Sequence, residues 1–430
     1  MKQIKLGDYI DILTDYHSGG SYKTLKEKTK ILYEPSYAVV IRTLNFEGDD
    51  FTNDLIYCDK NSYDFLAYAH VHEDDVLMNK IANPGSVYIM PKVDYKTACG
   101  MNLFLIRFKN INQRYMYYVM KNNEAYIKSQ THGTTTKTIT KDEVRDLVFF
   151  IHETPEEQNR VEQLLTTIDY KISNNKRVIN ILNNISKLLY DYWFVQFDFP
   201  DENGKPYKSS GGKMVWNEEL KREIPDGWKV KELDDYIRII RGVSYNPEDE
   251  LKRETESSIR LLKSNNIQNG ALNFEQPIIL PADIANEDQW LTEGSVFITM
   301  SSGSKKHMGK TAIVFKSLPY VFGAFCAKIA IKPEYRCILS TYFRSDWFRV
   351  YIENVTAGTS INNIGQEHLT KIKLPFPPVS ILSQYESIVS SLFIKQGEII
   401  EENQELASLR DFLLPMLMNG QVKVKKGENQ

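Results

Sequence analysis

At 430 residues the chain is too long for one ordinary core and suits two to four domains. A composition of 42% hydrophobic and 25% charged residues excludes wholesale disorder, and no apolar run approaches the length of a bilayer span, so neither a disordered nor a membrane protein is expected. The net charge of -3 argues against a uniformly basic nucleic-acid coat but leaves local patches open.

The first residues, "MKQIKLGDYIDIL", lack the apolar core of a signal peptide, and Cys58, Cys99, Cys326 and Cys337 are scattered without C-x-x-C pairing. A reduced, cytoplasmic protein without structural zinc is expected. "YAVVI", "GSVYIM" and "NLFLIRF" then read as short strands, β-branched or aromatic and bounded by Gly, Pro and Asn, and "YMYYVM" reads as helical. Between Asp94 and Asp142 the only acid is Glu124, alongside Lys96, Arg107, Lys109, Arg114, Lys121, Lys128, Lys137 and Lys141. Such a window suits a phosphate-facing surface, and "HGTTTKTIT" within it offers backbone N–H groups and hydroxyls, common donors to phosphate oxygens.

Thr154-Pro155-Glu156-Glu157 announces a helix: a hydroxyl N-cap, proline where a missing N–H costs nothing, and a carboxylate at N3. From there Val161, Leu165, Ile168, Ile172, Asn175, Ile179, Leu182, Ser186 and Leu189 step by four and three, the repeat of a coiled-coil seam. "DFPDENGKPYKSSGG" follows as a turn-rich connector expected to be an exposed loop.

Beyond it the sequence resembles itself at a period of roughly 220 to 227 residues. "KLGDYIDI" from Lys5 matches "ELDDYIRI" from Glu232, "IRTLNFEG" echoes "LKSNNIQNG", and "HGTTTKTIT" echoes "AGTSINNIG". "SIRLL", "SVFITM", "TAIVF" and "CAKIAI" supply a second set of strands, and "LSTYFRSDWFRVYIE" a helical stretch. A second acid-poor window runs from Glu293 to Glu334 and holds Lys305, Lys306, Lys310, Lys316, Lys328 and Lys332. The first helix shifted by 227 places Ile388, Leu392, Lys395, Ile399, Glu402, Leu406, Leu409, Leu413 and Met416 on a second seam. Two helices of about 40 residues would pair antiparallel, with Asn175, Lys395 and Glu402 fixing register. The expected fold is α+β: two mixed α/β domains joined by two long antiparallel coiled-coil helices, a pseudo-twofold internal repeat. Its parts are 1–152, a helix over 153–195, a connector over 196–228, a second domain over 229–378, a helix over 379–420 and a tail over 421–430.

Three chemical signals have plainer readings. "GSKKHMGKT", Gly303 to Thr311, resembles a P-loop, but five residues separate its glycines where the motif has four, and "AIVF" after it is a strand where a helix is required. His70-x-His72 has no neighbouring cluster to complete a metal site. Pro225-Asp226 with Glu250-Leu251-Lys252 spells a nuclease-like PD...ExK pattern, yet Pro225-Asp226-Gly227 is a turn sequence and the expected hairpin is missing between them.

The two "GT" segments at Gly133-Thr134 and Gly358-Thr359, "YDYWFVQFDFP" from Tyr190, "NGKPYKSSGG" from Asn203, "IPDGW" from Ile224 and "FLLPMLMNGQV" from Phe412 resemble the specificity subunit of a type I restriction-modification system, over nearly the whole chain. The resemblance implies a non-catalytic subunit with two target-recognition domains and two spacer helices that reads a bipartite double-stranded DNA site. It implies docking of two adenine methyltransferase subunits and of ATP-dependent restriction subunits. S-adenosylmethionine, ATP and Mg would sit on those partners, with no cofactor or metal on this chain and no membrane. DNA contacts are then expected from Arg42, Asn45, Lys80, Gly133, Thr134, Thr135 and Lys137, and from Lys263, Asn266, Ser302, Lys305, Lys306, Lys310, Gly358, Thr359, Ser360 and Asn362. The rival readings are an active nuclease or methyltransferase fragment and a structural coiled-coil adaptor.

Overall fold

The computed structural model describes residues 1–133, 136–268, 270–274, 276–304, 307–357 and 363–425. The chain divides into two compact units, Met1–Asn174 with Asn403–Gln430, and Asn175–Glu402.

In the first unit β1 (Lys2–Lys5), β2 (Ile10–Asp15), β3 (Ala38–Ile41), β4 (Val76–Asn79), β5 (Val87–Ile89), β6 (Thr97–Cys99), β7 (Leu103–Phe108) and β8 (Val148–Ile151) are joined by α1 (Gln113–Asn122) and lead into α2 (Pro155–Tyr190). An antiparallel sheet takes the order β2-β7-β4-β5, β3 pairs in parallel with β6 in a second sheet, and β1 pairs antiparallel with β8. The second unit repeats this plan. Its strands are β9 (Lys229–Glu232), β10 (Ile237–Arg241), β11 (Ser258–Leu262), β12 (Val296–Thr299), β13 (Thr311–Ile313), β14 (Tyr320–Phe322), β15 (Cys326–Ile331) and β16 (Lys373–Phe376). The order β10-β15-β12-β13, the parallel pair β11·β14 and the antiparallel pair β9·β16 reproduce the first unit strand for strand. After α3 (Arg336–Phe343) and α4 (Asp346–Ala357), helix α5 (Val379–Met418) follows. The strands and helices expected from the sequence therefore fall where their patterns placed them.

Helix α2 starts as its residues dictate. The Thr154 hydroxyl accepts from the Glu157 N–H at 3.3 Å, and Pro155 occupies the first helical position. Its seam positions Val161, Leu165, Ile168, Asn175, Ile179 and Ser186 are buried. Helix α5 runs antiparallel to it: Asp169 receives Arg410 at 3.0 Å in the first unit, and Asn175 Nδ2 donates to Glu402 at 2.7 Å in the second. The seam expected for α5 needs correction. Ile388, Lys395 and Leu409 are exposed, and Lys395 pairs with Glu398 on the solvent side. The buried stripe runs instead through Leu382, Tyr385, Val389, Phe393 and Gln396, and joins the expected seam at buried Ile399. The reason is a second packing partner: Phe393 meets Phe315 edge-on at 5.2 Å, and Tyr385 meets Phe194 at 4.7 Å, so the domain core as well as α2 sets which face turns inward.

The connector also departs from expectation. Phe197 and Phe199 are buried, the first meeting Trp228 edge-on and the second stacking on it, and they join Tyr190, Trp193 and Phe194 in the second unit's core. Residues 214–217 and 222–225 form a hairpin. Only the Gly- and Ser-rich turn around residues 201–211 is the loop its composition suggests. Burying an aromatic of this size contributes on the order of 1.5–3 kcal/mol, which outweighs the turn propensity of its neighbours.

Candidate nucleic-acid interface

In each unit four segments gather at one end of the four-stranded sheet, wired alike. In the first, Gly100 N–H donates to Ile41 at 2.8 Å, Lys80 N–H to Asn102 at 2.9 Å and Ile139 N–H to Lys80 at 3.2 Å, and Ile81 bridges Thr138. In the second, Gly323 N–H donates to Leu262 at 2.9 Å, Met300 N–H to Phe325 at 2.9 Å and Ile364 N–H to Met300 at 2.8 Å, and Ser301 bridges Asn363. The turn after β3 or β11, the turn before β7 or β15, the β4–β5 or β12–β13 hairpin and the segment at Thr138-Ile139 or Asn363-Ile364 thus share one place. A Cβ on Gly100 would lie 2.4 Å from the Ile41 carbonyl, so this crossing admits only glycine.

The expected contact residues divide into three kinds. Asn45 and Asn266 are buried and hold their turns: the side-chain oxygen of each accepts the backbone N–H of Arg42 or Lys263 at 2.8 Å, and the amide donates to Asp50 at 3.1 Å or Asn273 at 2.9 Å. Both therefore position the residue before the turn instead of reaching outward. Arg42, half-buried, donates to the Asp54 carbonyl at 2.6 Å, whereas Lys263 is exposed. Gly133 takes φ +110°, where a Cβ would lie 2.4 Å from the Thr136 carbonyl. Lys137 is exposed beside it, Ser302 is half-buried and accepts from Ser304 N–H at 3.2 Å, and half-buried Lys310 closes the hairpin through its carbonyl, which accepts from Thr299 N–H at 2.9 Å. Thr134, Thr135, Lys305, Lys306, Gly358, Thr359, Ser360 and Asn362 lie outside the described residues.

Lys80 is the correction. It is 7% exposed, and its ammonium pairs with buried Asp15 and reaches His17 Nδ1 at 3.1 Å. Burial pushes the Asp15 carboxyl up, but hydrogen bonds from Lys80 and Ser18 and the charges of Lys80 and Lys141 outweigh it, holding Asp15 below the usual range. Burial, then the Lys80 charge, hold His17 below its ordinary value. Lys80 serves an internal ion pair, not a phosphate.

The acid-poor windows shrink for the same reason. Asp75 takes Arg107, Asp74 takes Arg114, Glu124 takes Lys121 and Lys128, and Asp15 takes Lys141. In the second window Lys316 pairs with Glu401, and Lys328 is buried against the Trp290 carbonyl at 2.6 Å. Acids distant in sequence, together with nearby Glu124, take up much of what looked like phosphate-facing charge.

The residues of the other motifs have structural roles. Thr311 after "GSKKHMGK" begins strand β13, so the segment leads into a strand and not into a helix. His70 stacks on Tyr63 at 3.7 Å and bonds its carbonyl at 2.8 Å. Asp226 pairs with Lys213 at 2.9 Å, and among the described residues no group of three His, Cys, Asp or Glu is placed to hold a metal.

Two features escaped the sequence reading. Phe325 stands exposed at the tip of the turn before β15. Along α2, Val178, Ile181, Ile185 and Leu188 form an exposed apolar stripe, whose 3-4-3 spacing beside the buried seam was the available signal.

The chain thus carries one α+β module twice, each copy gathering the same four segments at one end of its sheet and each followed by a long helix. Residues 1–184 and 225–407 match the family described as "Type I restriction modification DNA specificity domain", and the chain belongs to that family. It is similar to the type I restriction enzyme EcoKI specificity subunit of Escherichia coli (strain K12), 27% identical over 210 residues covering 47% of this chain and 45% of that one. The StySPI specificity subunit of Salmonella potsdam is 27% identical over 208 residues, 46% of this chain and 44% of that one. The chain thus spans about half the length of these two relatives. The MjaIX specificity subunit of Methanocaldococcus jannaschii is 26% identical over 317 residues, 73% and 69% of the two chains. The crystal structure of a type I restriction-modification S subunit from M. genitalium shares the fold, with a TM-score of 0.52 at 15% identity over 97% of this chain and 95% of that one.

Proposed function

We propose that this chain is the DNA-reading, non-catalytic subunit of a type I restriction-modification complex, and that each loop cluster reads one half of a bipartite double-stranded target. The observation that carries this is the twofold recurrence of one wiring, which brings the segment at Ile139 or Ile364, the hairpin and the Arg42 or Lys263 turn together in both units. Lysines and loop N–H groups would hold phosphates, setting register and orientation, while side chains held at the turns would meet base edges. Lys263, exposed and fixed at the start of a locked turn, suits the second role; Lys137 and the Lys305–Lys310 hairpin suit the first.

Chemistry belongs to partners in this reading. Two modification subunits using S-adenosylmethionine, and restriction subunits using ATP and Mg, would assemble on the chain in the cytoplasm. The stripe Val178, Ile181, Ile185 and Leu188 suits an apolar helix of a modification subunit, since its spacing is that of a helix-pairing seam. No described helix is long and apolar enough to cross a membrane.

The test is to purify the chain from its native cell by an affinity tag and to sequence the methylated sites of that genome. The expected result is co-purifying adenine methyltransferase subunits and bipartite methylated sites that vanish when this gene is deleted. Methyl transfer, cleavage or ATP hydrolysis by the partner-free chain overturns the proposal.

A further inference from the structure

The ring of Phe325 is 72% exposed, yet the turn that carries it is held on every side. The Phe325 carbonyl accepts from Met300 N–H at 2.9 Å and Ser301 N–H at 3.0 Å, Ala324 N–H donates to Val243 at 2.9 Å, and Cys326 N–H to Gly323 at 2.8 Å. The backbone cannot carry the ring inward without breaking these bonds. On one side Ser301 opens the lysine hairpin and bridges Asn363. On the other, Lys263 Cγ lies 3.9 Å from where a Cβ on Gly323 would stand. A large apolar group is thus held out into water between a cationic turn and a hydrogen-bonding loop.

We infer that Phe325 is an apolar reader of the second DNA half-site, its ring seated against the 5-methyl group of a thymine; this rests on the function proposed above. Cationic neighbours draw the tip to an anionic surface, and on base edges the apolar group exposed in the major groove is that methyl. The equivalent turn of the first unit carries exposed Asn102, whose carbonyl accepts Lys80 N–H as that of Phe325 accepts Met300 N–H. At one position of the fold, one unit presents an amide and the other an aromatic ring, which is how a common scaffold would read two different half-sites.

The test uses the complex purified with its modification subunits and an oligonucleotide carrying the mapped target. Each thymine of the second half-site is replaced in turn by deoxyuridine, which removes only the methyl. One position should weaken wild-type binding roughly fourfold, the equivalent of returning one buried methyl group to water. Phe325→Ala should bind more weakly and be indifferent to that replacement, Phe325→Leu should keep part of the sensitivity, and both should read the first half-site unchanged. Wild-type indifference to every replacement, or a Phe325→Ala complex with wild-type affinity and sequence preference, overturns the inference. If Phe325→Ala does not assemble, Phe325→Leu decides: a Leu complex that keeps the full wild-type penalty at that thymine overturns the inference, and a reduced penalty supports it. Failure of the wild-type complex to recognise any bipartite site would instead sink the function on which the inference rests.

Discussion

Where strand β4 leaves the sheet of the first unit, the structure keeps an ion pair; where β12 leaves the sheet of the second, it keeps an apolar side chain. Lys80 and Met300 occupy the same point of the wiring, and each is buried. Across from them, Asp15 pairs with Phe104 in register as Arg241 pairs with Ala327. The first unit neutralises a buried carboxylate with a buried ammonium, while the second places Met300 there and sends the Arg241 guanidinium to the Ile364 carbonyl at 3.5 Å. Two side-chain chemistries thus support one backbone arrangement. The lesson is that hydrogen bonds along the main chain define the loop cluster, and the residues beneath it need only fill the space and leave no charge alone.

The comparison breaks most visibly at Lys80. Replacing it by Met, its counterpart's residue, leaves buried Asp15 with only Ser18 and the half-exposed Lys141, and a loss approaching the ~3–5 kcal/mol of a broken buried pair is expected in denaturant unfolding. Adding Asp15→Asn should recover most of that loss. Equal stability of Lys80→Met and the wild type would show that the pair is dispensable. A smaller effect is expected at the turn asparagines: Asn45→Ala and Asn266→Ala should each cost about 1–3 kcal/mol, because each strands a backbone donor and acceptor. Hydrogen exchange at the Arg42 and Lys263 amides would report it. A changed DNA preference at unchanged stability would instead restore Asn266 to the role of a base reader.

Charge sharpens the contrast between the units further. Lys305→Ala, Lys306→Ala and Lys310→Ala together should reduce the slope of log K against log salt by about 0.9 for each phosphate left without its lysine, and Lys137→Ala by the same single step. Lys80 variants that still fold should leave the slope alone, since that ammonium is already paired. The smallest effect is on pH. Burial lowers both His17, with help from Lys80, and His152. Because the folded values lie below that of an unfolded histidine, about 6.5, protonation favours the unfolded chain: stability is intact above that pH and is lost as the pH falls through it. His17→Gln with His152→Gln should flatten that part of the first unit's stability profile.

Sequence made the repeat, the strands, the capped start of α2 and the absence of P-loop context legible, because each rests on neighbours along the chain. The fate of Lys80, Arg107 and Lys316 was hidden because their acids, Asp15, Asp75 and Glu401, lie between 32 and 85 residues away. The phase of α5 was misread because a shifted copy of α2 knows nothing of Phe315 or Phe194. The aromatics of "YDYWFVQFDFP" did announce burial, but the glycines and serines after them were given more weight. Among the candidate contacts, residue type located the right turns and could not tell which side chain locks a turn and which one the turn displays.

The bond from Asn175 to Glu402 makes the length of the helix pair a discrete quantity. One residue added to a single helix turns everything beyond it by about 100° and slides it by about 1.5 Å, separating the amide from its carboxylate and the apolar residues from theirs. Matched additions of seven, two whole turns on both strands, restore every partner. A helix pair pinned in this way changes length in whole-turn steps, because every intermediate length parts the amide from its carboxylate.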